Sequence, residues 1–219
     1  MTAGTEPVYD ARMADALAFA AEKFACVTRK GNGAPYLSHL LAVAALVMEH
    51  GGTPEQAIAA ILHDYLEDIP GATAAELDAR FGAHVTHLVR ALSDAEDAEH
   101  KAPWRERKEA YLAKLASEPA EVKLVSAADK LHNATTLLRD LRVQGEATFE
   151  RFKGKRDGTL WYHREVIGAL RVGFDHPILA SLEDVVRALE AECGGISPEA
   201  FPTASRPPPA PSPPPATSY

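Results

Sequence analysis

One short segment of the sequence places a histidine and three carboxylates within six positions of an otherwise apolar stretch. In ILHDYLED, residues 61–68, His63 with Glu67 and Asp64 with Asp68 form i,i+4 pairs on one side of a predicted helix. The pairs lie in the last turns, where the helix dipole opposes anions, and no lysine or arginine follows at i+4. The cluster is therefore unfavourable without a cation, and a bound metal ion would supply one. A solvated acidic face at a helix end is the alternative.

Two further segments supply the remaining candidate ligands. His39 falls in the first turn of a predicted apolar helix, PYLSHLLAVAALV, and Asp129 with Asn133 forms an i,i+4 pair in VKLVSAADKLHNA. A buried aspartate is costly unless it is paired or bound to metal. With His63 and Asp64, they offer two imidazoles and two carboxylates, a mixed nitrogen and oxygen set that suits a divalent transition metal with positions open for water or substrate. Taken singly, each residue has a structural alternative, such as a helix cap or a satisfied core group.

Helices must position these residues, because apolar positions recur throughout at intervals of three and four and no convincing alternating strand occurs. We expect a first helix over about residues 9–28 and a second that has Ser38 as its N-cap and ends at Gly51-Gly52. The apolar stripe of the first helix comprises Met13, Leu17, Ala20, Phe24 and Val27.

The third helix has the strongest start signal. Thr53 is the predicted cap, Pro54 takes the first helical position and Gln56 completes a capping box, and the helix should end before Pro70. A cap at Thr73 predicts a short fourth helix. Later helices are predicted in residues 82–92, 104–117, 120–141, 158–171 and 178–192.

Composition restricts the class of protein. A chain of 219 residues with 46% apolar residues can form one domain with a substantial core, and its formal net charge of −8 argues against a general nucleic-acid or anionic-membrane binder. Cys26 and Cys193 are far apart, which argues against a disulfide framework or a cysteine-rich zinc site. The longest apolar run, residues 40–48, is too short to span a bilayer. We expect a soluble cytoplasmic protein.

The predicted fold is all-α, a single-domain helical bundle over residues 1–195 followed by a proline-rich tail over residues 196–219. The tail has too little apolar content to join a core and should be disordered or polyproline-like. Such a segment could present itself to an SH3-like partner, and homo-oligomerisation is left open.

The segments GAPYLSHLLAVAALV, AAILHDYLEDIPGATAAELDARFGAHVTHLVRALSD and VKLVSAADKLHNATTL resemble the HD superfamily of metal-dependent phosphohydrolases, whose signature is a histidine, a His-Asp pair and a distant aspartate. They are similar in particular to the hydrolase domain of RelA/SpoT proteins and their small stand-alone relatives. The resemblance covers about residues 9–170. It implies an HD-type bundle, Mn²⁺ as cofactor and hydrolysis of the 3′-pyrophosphate of guanosine alarmones. The implied metal ligands are His39, His63, Asp64 and Asp129.

The same resemblance assigns Glu67 and Asp68 to the hydrolytic water. It places Arg29 and Lys30, in the loop TRKGNGAPY, and Asn133 near the nucleotide. Cationic side chains beside flexible glycines can bind phosphates, although an Arg-Lys pair in a loop is often only solvated.

Tyr162, in GTLWYHREV, is a further candidate contact to the substrate, and its alternative is a core aromatic. The expected activity is conversion of ppGpp or pppGpp to GDP or GTP and pyrophosphate, with (p)ppApp as a further candidate substrate. The alternatives are an HD phosphohydrolase of another nucleotide, such as NADPH or a nucleoside phosphate, and a catalytically idle metal-stabilised bundle that binds a nucleotide.

Overall fold

The computed structural model describes residues 9–31, 33–94 and 102–194. These residues form a helical bundle, and their only β-type pairing is an isolated antiparallel bridge between Thr28 and Pro35. The all-α prediction is confirmed. The predicted proline-rich tail lies outside the described residues.

The helices, in chain order, are α1 (Ala11–Lys23), α2 (Leu37–Glu49), α3 (Pro54–Leu62), α4 (Tyr65–Asp68), α5 (Ala74–Phe81), α6 (Ala83–Leu92), α7 (Trp104–Ser117), α8 (Ala120–Gln144), α9 (Lys155–Leu170) and α10 (Ile178–Glu192). A 3₁₀ helix, Gly145–Arg151, joins α8 to the segment before α9. In these ranges no helix is long and apolar enough to cross a membrane.

The long helix α8 and the short helix α3 form the centre of the bundle. α8 packs against α2, α3, α6, α9 and α10, and α3 packs in addition against α1, α2 and α6. Every residue of α3 from Gln56 to Leu62 is buried, so this helix is surrounded on all sides. The start of α3 forms as predicted, with Pro54 first and a capping box between Thr53 and Gln56. α2 and α8 carry one candidate ligand each, and the other two directly follow α3, so these central helices position all four.

Three local predictions were wrong. α1 ends at Lys23, because the chain then turns into the loop closed by the Thr28 bridge, and Leu17 of the expected stripe is 38% exposed. α2 begins at Leu37, so Ser38 lies inside the helix, where its hydroxyl donates to the Pro35 carbonyl. The predicted third helix is interrupted at His63 and Asp64, and α4 follows as a separate turn.

Candidate active site

The four predicted metal ligands converge in the described structure. His39 comes from α2, His63 and Asp64 occupy the break between α3 and α4, and Asp129 lies in the middle of α8. His39 Nε2 lies 3.2 Å from Asp129 Oδ1 and 3.6 Å from Asp64 Oδ2, while His63 Nε2 lies 3.0 Å from Asp64 Oδ2 and 3.7 Å from Asp129 Oδ1. One atom each of His39, His63 and Asp129 falls within 4.8 Å of the others, as a shared metal ion requires. The break in the helix thus turns two adjacent side chains towards one point.

A backbone contact sets the free nitrogen of His63. Its Nδ1 lies 2.7 Å from the Ala60 carbonyl oxygen, which can only accept, so Nδ1 donates a hydrogen bond there and Nε2 is the nitrogen that faces the cluster. Nε2 is buried and has no hydrogen-bond partner among the described atoms, although Asp64 Oδ2 lies 3.0 Å away. A buried nitrogen without a partner, placed beside two carboxylates, fits a metal ligand.

His39 is oriented by a second imidazole that the sequence analysis did not select. Its Nδ1 lies 2.7 Å from Nδ1 of His132, which follows Asp129 by three residues on α8. Burial, with the neighbouring His39 and Arg29, lowers the pKa of His132 to about 4, so His132 is neutral near pH 7 and its Nδ1 can accept a hydrogen bond from His39 Nδ1. His39 Nε2 then also offers a lone pair to the cluster. This is the arrangement in which an outer residue fixes the tautomer of a metal-binding histidine.

The electrostatics of the cluster favour a cation. Although burial opposes it, the charges of Asp64 and Asp129 hold the pKa of His63 well above its usual value. Burial would likewise raise the pKa of both aspartates, but neighbouring cations and hydrogen bonds hold it well below the usual range. Two ionised carboxylates therefore share a buried site with nitrogens that attract a positive charge. A divalent metal ion fits this donor set better than protons do, because it satisfies all four groups at once.

Tyr36 holds one carboxylate in place. Its hydroxyl donates to Asp64 Oδ2 over 2.7 Å, and its ring lies edge-on to His39 with centroids 5.5 Å apart. Burial, with the charges of Asp64 and Asp68, raises the pKa of the Tyr36 phenol, so it remains a donor.

Glu67 and Asp68 face different surroundings. Glu67 lines a cavity that it shares with the metal cluster, and burial together with the charges of Asp94 and Asp64 raises its pKa to about 7. Asp68 is exposed, and it is close enough to Tyr36 to influence the pKa of that residue. Of the two predicted catalytic carboxylates, Glu67 is thus the one placed beside the candidate ligands inside the cavity.

A second carboxylate lies behind Glu67. Asp94, which follows α6, is hydrogen-bonded to Glu67, and it accepts from Arg107 Nη1 at 2.7 Å and from Lys108 Nζ at 2.6 Å. Burial would raise the pKa of Asp94, but Lys108 and Arg107 lower it to about 2. Asp94 is therefore ionised near pH 7, and its negative charge favours the protonated form of Glu67.

The predicted nucleotide contacts are only partly brought together. Arg29 Nη2 donates to Asn133 Oδ1 at 2.9 Å, and Asn133 Nδ2 donates to Asp129 Oδ1 at 2.5 Å, which connects the loop before α2 to the metal cluster. Lys30, one residue further along that loop, is exposed. Tyr162 lies elsewhere, in the wall of the cavity that contains Glu67. The assigned roles of these residues remain predictions.

Sequence reasoning missed several residues that now surround the candidate site. Some carried a local signal, because they lie beside a selected ligand or one helical turn away from it. Others are distant in sequence and reach the site only through the packing of α6, α7 and α8. The first group is Tyr36, Lys130 and His132, and the second is Asp94, Lys108 and Tyr111.

The HD-domain sequence pattern matches residues 16–160, which include all four candidate ligands. The guanosine-3′,5′-bis(diphosphate) 3′-pyrophosphohydrolase MESH1 of Xenopus tropicalis is 36% identical over 131 residues, covering 58% of this chain and 68% of the frog protein. The guanosine-3′,5′-bis(diphosphate) 3′-pyrophosphohydrolase of Aquifex aeolicus is 36% identical over 119 residues, covering 54% of this chain and 17% of its own length. The bifunctional (p)ppGpp synthase/hydrolase SpoT of Escherichia coli is 33% identical over 114 residues, covering 49% and 16%. The chain thus matches most of the frog protein and about one sixth of each bacterial protein.

Solved structures extend the similarity to the fold. The structure described as a metazoan ortholog of SpoT that hydrolyses ppGpp and plays a role in starvation responses has a TM-score of 0.69 and 28% identity, with 84% of this chain and 97% of that chain covered. The protein lmo0812 from Listeria monocytogenes EGD-e has a TM-score of 0.62 and 27% identity, with 68% and 96% covered. The chain therefore shares its overall helical fold with both structures.

Proposed function

Because the chain belongs to the HD-domain family, we propose that it is a metal-dependent 3′-pyrophosphohydrolase that converts ppGpp or pppGpp to GDP or GTP and pyrophosphate. The observation that carries the proposal is the convergence of two imidazole Nε2 atoms and two carboxylates at distances of 3.0–3.7 Å. The substrate class rests on the similar proteins, which are named as hydrolases of guanosine-3′,5′-bis(diphosphate).

His39, His63, Asp64 and Asp129 would hold the metal ion. Their mixed nitrogen and oxygen set is compatible with Mn²⁺, which we propose as the cofactor. When bound, such an ion lowers the pKa of a coordinated water and withdraws charge from phosphoryl oxygens.

Glu67 is the proposed general base. Its pKa of about 7 matches the requirement for a group that accepts a proton at neutral pH, and it lines the same cavity as His63 and Asp64. As water forms a bond to the phosphorus next to the nucleoside 3′-oxygen, Glu67 takes up the proton of the water. The bond from phosphorus to the 3′-oxygen breaks, that oxygen takes a proton from solvent and leaves as the 3′-hydroxyl, and Glu67 then releases its proton to solvent. Asp68, at the exposed end of α4, would orient the water or the departing group from the rim.

The nucleotide would lie across the loop that precedes α2. Arg29 is held at the edge of the site by Asn133 and by Thr136 Oγ1 at 3.3 Å, so its guanidinium is fixed in direction before a ligand arrives. A fixed guanidinium can bind phosphate or stack on a base at little entropic cost. Lys30 is exposed beside it and would add a mobile positive charge. Together with Asn133, these residues form the proposed nucleotide contact.

The test is a substrate panel with two separate product assays. The purified protein, loaded with Mn²⁺, is incubated with ppGpp, pppGpp, ppApp or NADPH, and pyrophosphate and orthophosphate are quantified independently. The proposal predicts pyrophosphate from guanosine alarmones, loss of release with EDTA, and a loss of at least about 100-fold in the Glu67→Gln, Asp68→Asn double variant with metal retained. The result for ppApp determines whether adenosine alarmones are also substrates.

Other outcomes would redirect the assignment. Orthophosphate released from NADPH, without any product from the alarmones, would make the protein a phosphohydrolase of another nucleotide. Stoichiometric metal without release from any substrate would favour the nucleotide-binding bundle.

A further inference from the structure

The cavity beside the candidate metal cluster has a wall of two half-buried lysines and two buried tyrosines. We call Lys108, Lys130, Tyr111 and Tyr162 the lysine–tyrosine wall. Lys108 Nζ lies 4.9 Å from the ring centroid of Tyr162 and 6.0 Å from that of Tyr111, and Lys130 Nζ lies 5.9 Å and 5.1 Å from the same two rings. Two ammonium groups are thus concentrated around one pair of phenols, in the cavity that Glu67 also lines.

The ammonium groups keep hydrogen-bond donors for a ligand. In the described part of the chain, Lys130 donates to Asp129 Oδ2 at 2.5 Å and Lys108 donates to Asp94 Oδ2 at 2.6 Å. An ammonium has three N–H groups, so neither lysine is saturated by its single carboxylate. Charges that have lost most of their water are costly, and additional acceptors offset that loss.

The phenol of Tyr162 provides an independent indication of a ligand. The residue is only 9% exposed, and its hydroxyl is buried without a hydrogen-bond partner in the described structure. The neighbouring phenol of Tyr111 differs, because it is satisfied by Ser126 Oγ at 3.0 Å. A buried hydroxyl without a partner is uncommon in a folded protein, and one in a cavity between two lysines is suited to donate to an anion.

We propose that the lysine–tyrosine wall binds the terminal phosphate of the 3′-pyrophosphate group and so selects diphosphate over monophosphate substrates. One cavity is lined by three of the candidate metal ligands, namely His63, Asp64 and Asp129, and by the wall. An anion that engages both must carry a phosphoryl group at the metal and further oxygens at the wall. A diphosphate meets this requirement with its second phosphoryl group, whereas a monophosphate has fewer oxygens to divide between the metal and the wall. The inference rests on the proposed function and deepens it.

The carboxylates that line the cavity do not use up the hydrogen-bond donors of the two lysines in the lysine–tyrosine wall. Asp64 and Asp129 belong to the proposed metal set, and Asp94 is shared between Lys108 and Arg107. Glu67 is the remaining carboxylate that lines the cavity, and it is hydrogen-bonded to Asp94. With a divalent ion present, the two lysines therefore retain donors that an incoming phosphate can use.

The test measures binding of inorganic pyrophosphate and orthophosphate to Mn²⁺-loaded protein from which free metal has been removed. Tryptophan fluorescence is a suitable signal, because the chain has two tryptophans and both lie beside the wall, with ring centroids 6.5 Å from that of Tyr162. The metal content is determined again after each titration, so that extraction of Mn²⁺ by pyrophosphate is not mistaken for binding.

Three variants define the contribution of the wall. Tyr162→Phe removes only the unpartnered hydroxyl and should leave the fold intact. Lys108→Met removes one ammonium while Arg107 still pairs with Asp94, and Lys153→Met is the matched control at an exposed lysine. We expect wild-type protein and Lys153→Met to prefer pyrophosphate, and both wall variants to bind pyrophosphate about tenfold more weakly or worse, with orthophosphate affinity little changed.

Equal affinity of wild-type protein for the two anions would overturn the inference, as would full retention of the preference in either wall variant. These binding measurements do not depend on catalytic turnover. Alarmone hydrolysis without a preference for pyrophosphate would reject the proposed role of the lysine–tyrosine wall and leave the proposed function standing. A preference for pyrophosphate that depends on the wall, without alarmone hydrolysis, would support the role of the lysine–tyrosine wall and reject the alarmone as the substrate.

Discussion

Replacing Glu67 with glutamine should stabilise the metal-free protein and inactivate the metal-loaded one. Burial and the charges of Asp94 and Asp64 raise the pKa of Glu67 from 4.5 to about 7. A carboxyl group with a raised pKa contributes stability that is fully present below its unfolded pKa and is lost as the pH rises through its folded pKa. The wild-type protein therefore loses stability between about pH 4.5 and pH 7, whereas glutamine cannot ionise.

The size of the effect follows from the two pKa values. A difference of about 2.5 pKa units, at about 1.4 kcal/mol for each unit, corresponds to about 3 kcal/mol of unfolding free energy. Glu67 is partly exposed, and water screens part of this penalty. We therefore expect Glu67→Gln to exceed the wild-type stability by about 2 kcal/mol at pH 8, and by much less at pH 5.

Urea denaturation in EDTA at pH 5 and pH 8 measures this difference directly. Glu165→Gln, at an exposed glutamate of α9, is the matched control and should follow the wild type at both pH values. The Mn²⁺-loaded Glu67→Gln protein should lose about 100-fold or more in kcat. An identical change in stability between pH 5 and pH 8 for the wild type and Glu67→Gln would refute the argument, because Glu67 would then ionise normally in the folded protein.

Four further changes test other parts of the site. Asp64→Ala should lose bound metal and activity together, as measured by metal analysis and product release, and full activity in a metal-free preparation would reject the ligand assignment. His132→Ala should weaken metal binding by about 10-fold to 100-fold, because a ligand histidine loses the acceptor that fixes its tautomer, and an unchanged metal Kd would contradict this role. Asp94→Asn should lower the pKa of Glu67 and move the acidic limb of the kcat profile to lower pH, whereas an unmoved limb would exclude this coupling. Removal of residues 201–219 should leave Tm nearly unchanged in a thermal melt, and a large decrease would show that this segment stabilises the domain.

The parts of the fold that were predictable from sequence depend on local signals. The capping box at Thr53 and Gln56 sets the start of α3 through bonds within four residues, and the last predicted helix, Ile178–Glu192, has the bounds that the structure shows. Periodic apolar positions were less reliable at α1, where exposed Leu17 shared the spacing of buried residues. A spacing of three or four fits a face of the helix, but packing against other helices decides which neighbouring face is buried.

The helix break at the candidate site was not predictable in this way. Residues 61–68 have no proline or glycine that would end a helix, yet the helix stops at Leu62 and resumes at Tyr65. At the break, the Tyr36 hydroxyl bonds to Asp64 and the Ala60 carbonyl bonds to the ring of His63. These contacts involve another element and side-chain geometry, so the continuous periodicity of the sequence did not reveal them.

Residue types and spacing identified the candidate ligands but not the groups that tune them. His39 and Asp129 were selected because polar residues in apolar helices need partners, and the structure brings them to 3.2 Å. Asp94 and Lys108 stand 14 residues apart and become partners only when the segment after α6 meets α7. Their link to Glu67 is a property of tertiary packing, which explains why the sequence predicted a catalytic carboxylate without predicting its raised pKa.

Release of pyrophosphate from ppGpp, measured as a function of the number of Mn²⁺ ions bound per chain, tests the central claim most directly. The account predicts that the initial rate rises with metal occupancy, reaches its maximum at about one ion per chain and is absent in Asp64→Ala. Pyrophosphate release by the metal-free protein, or a fully occupied metal site with no release, would contradict it.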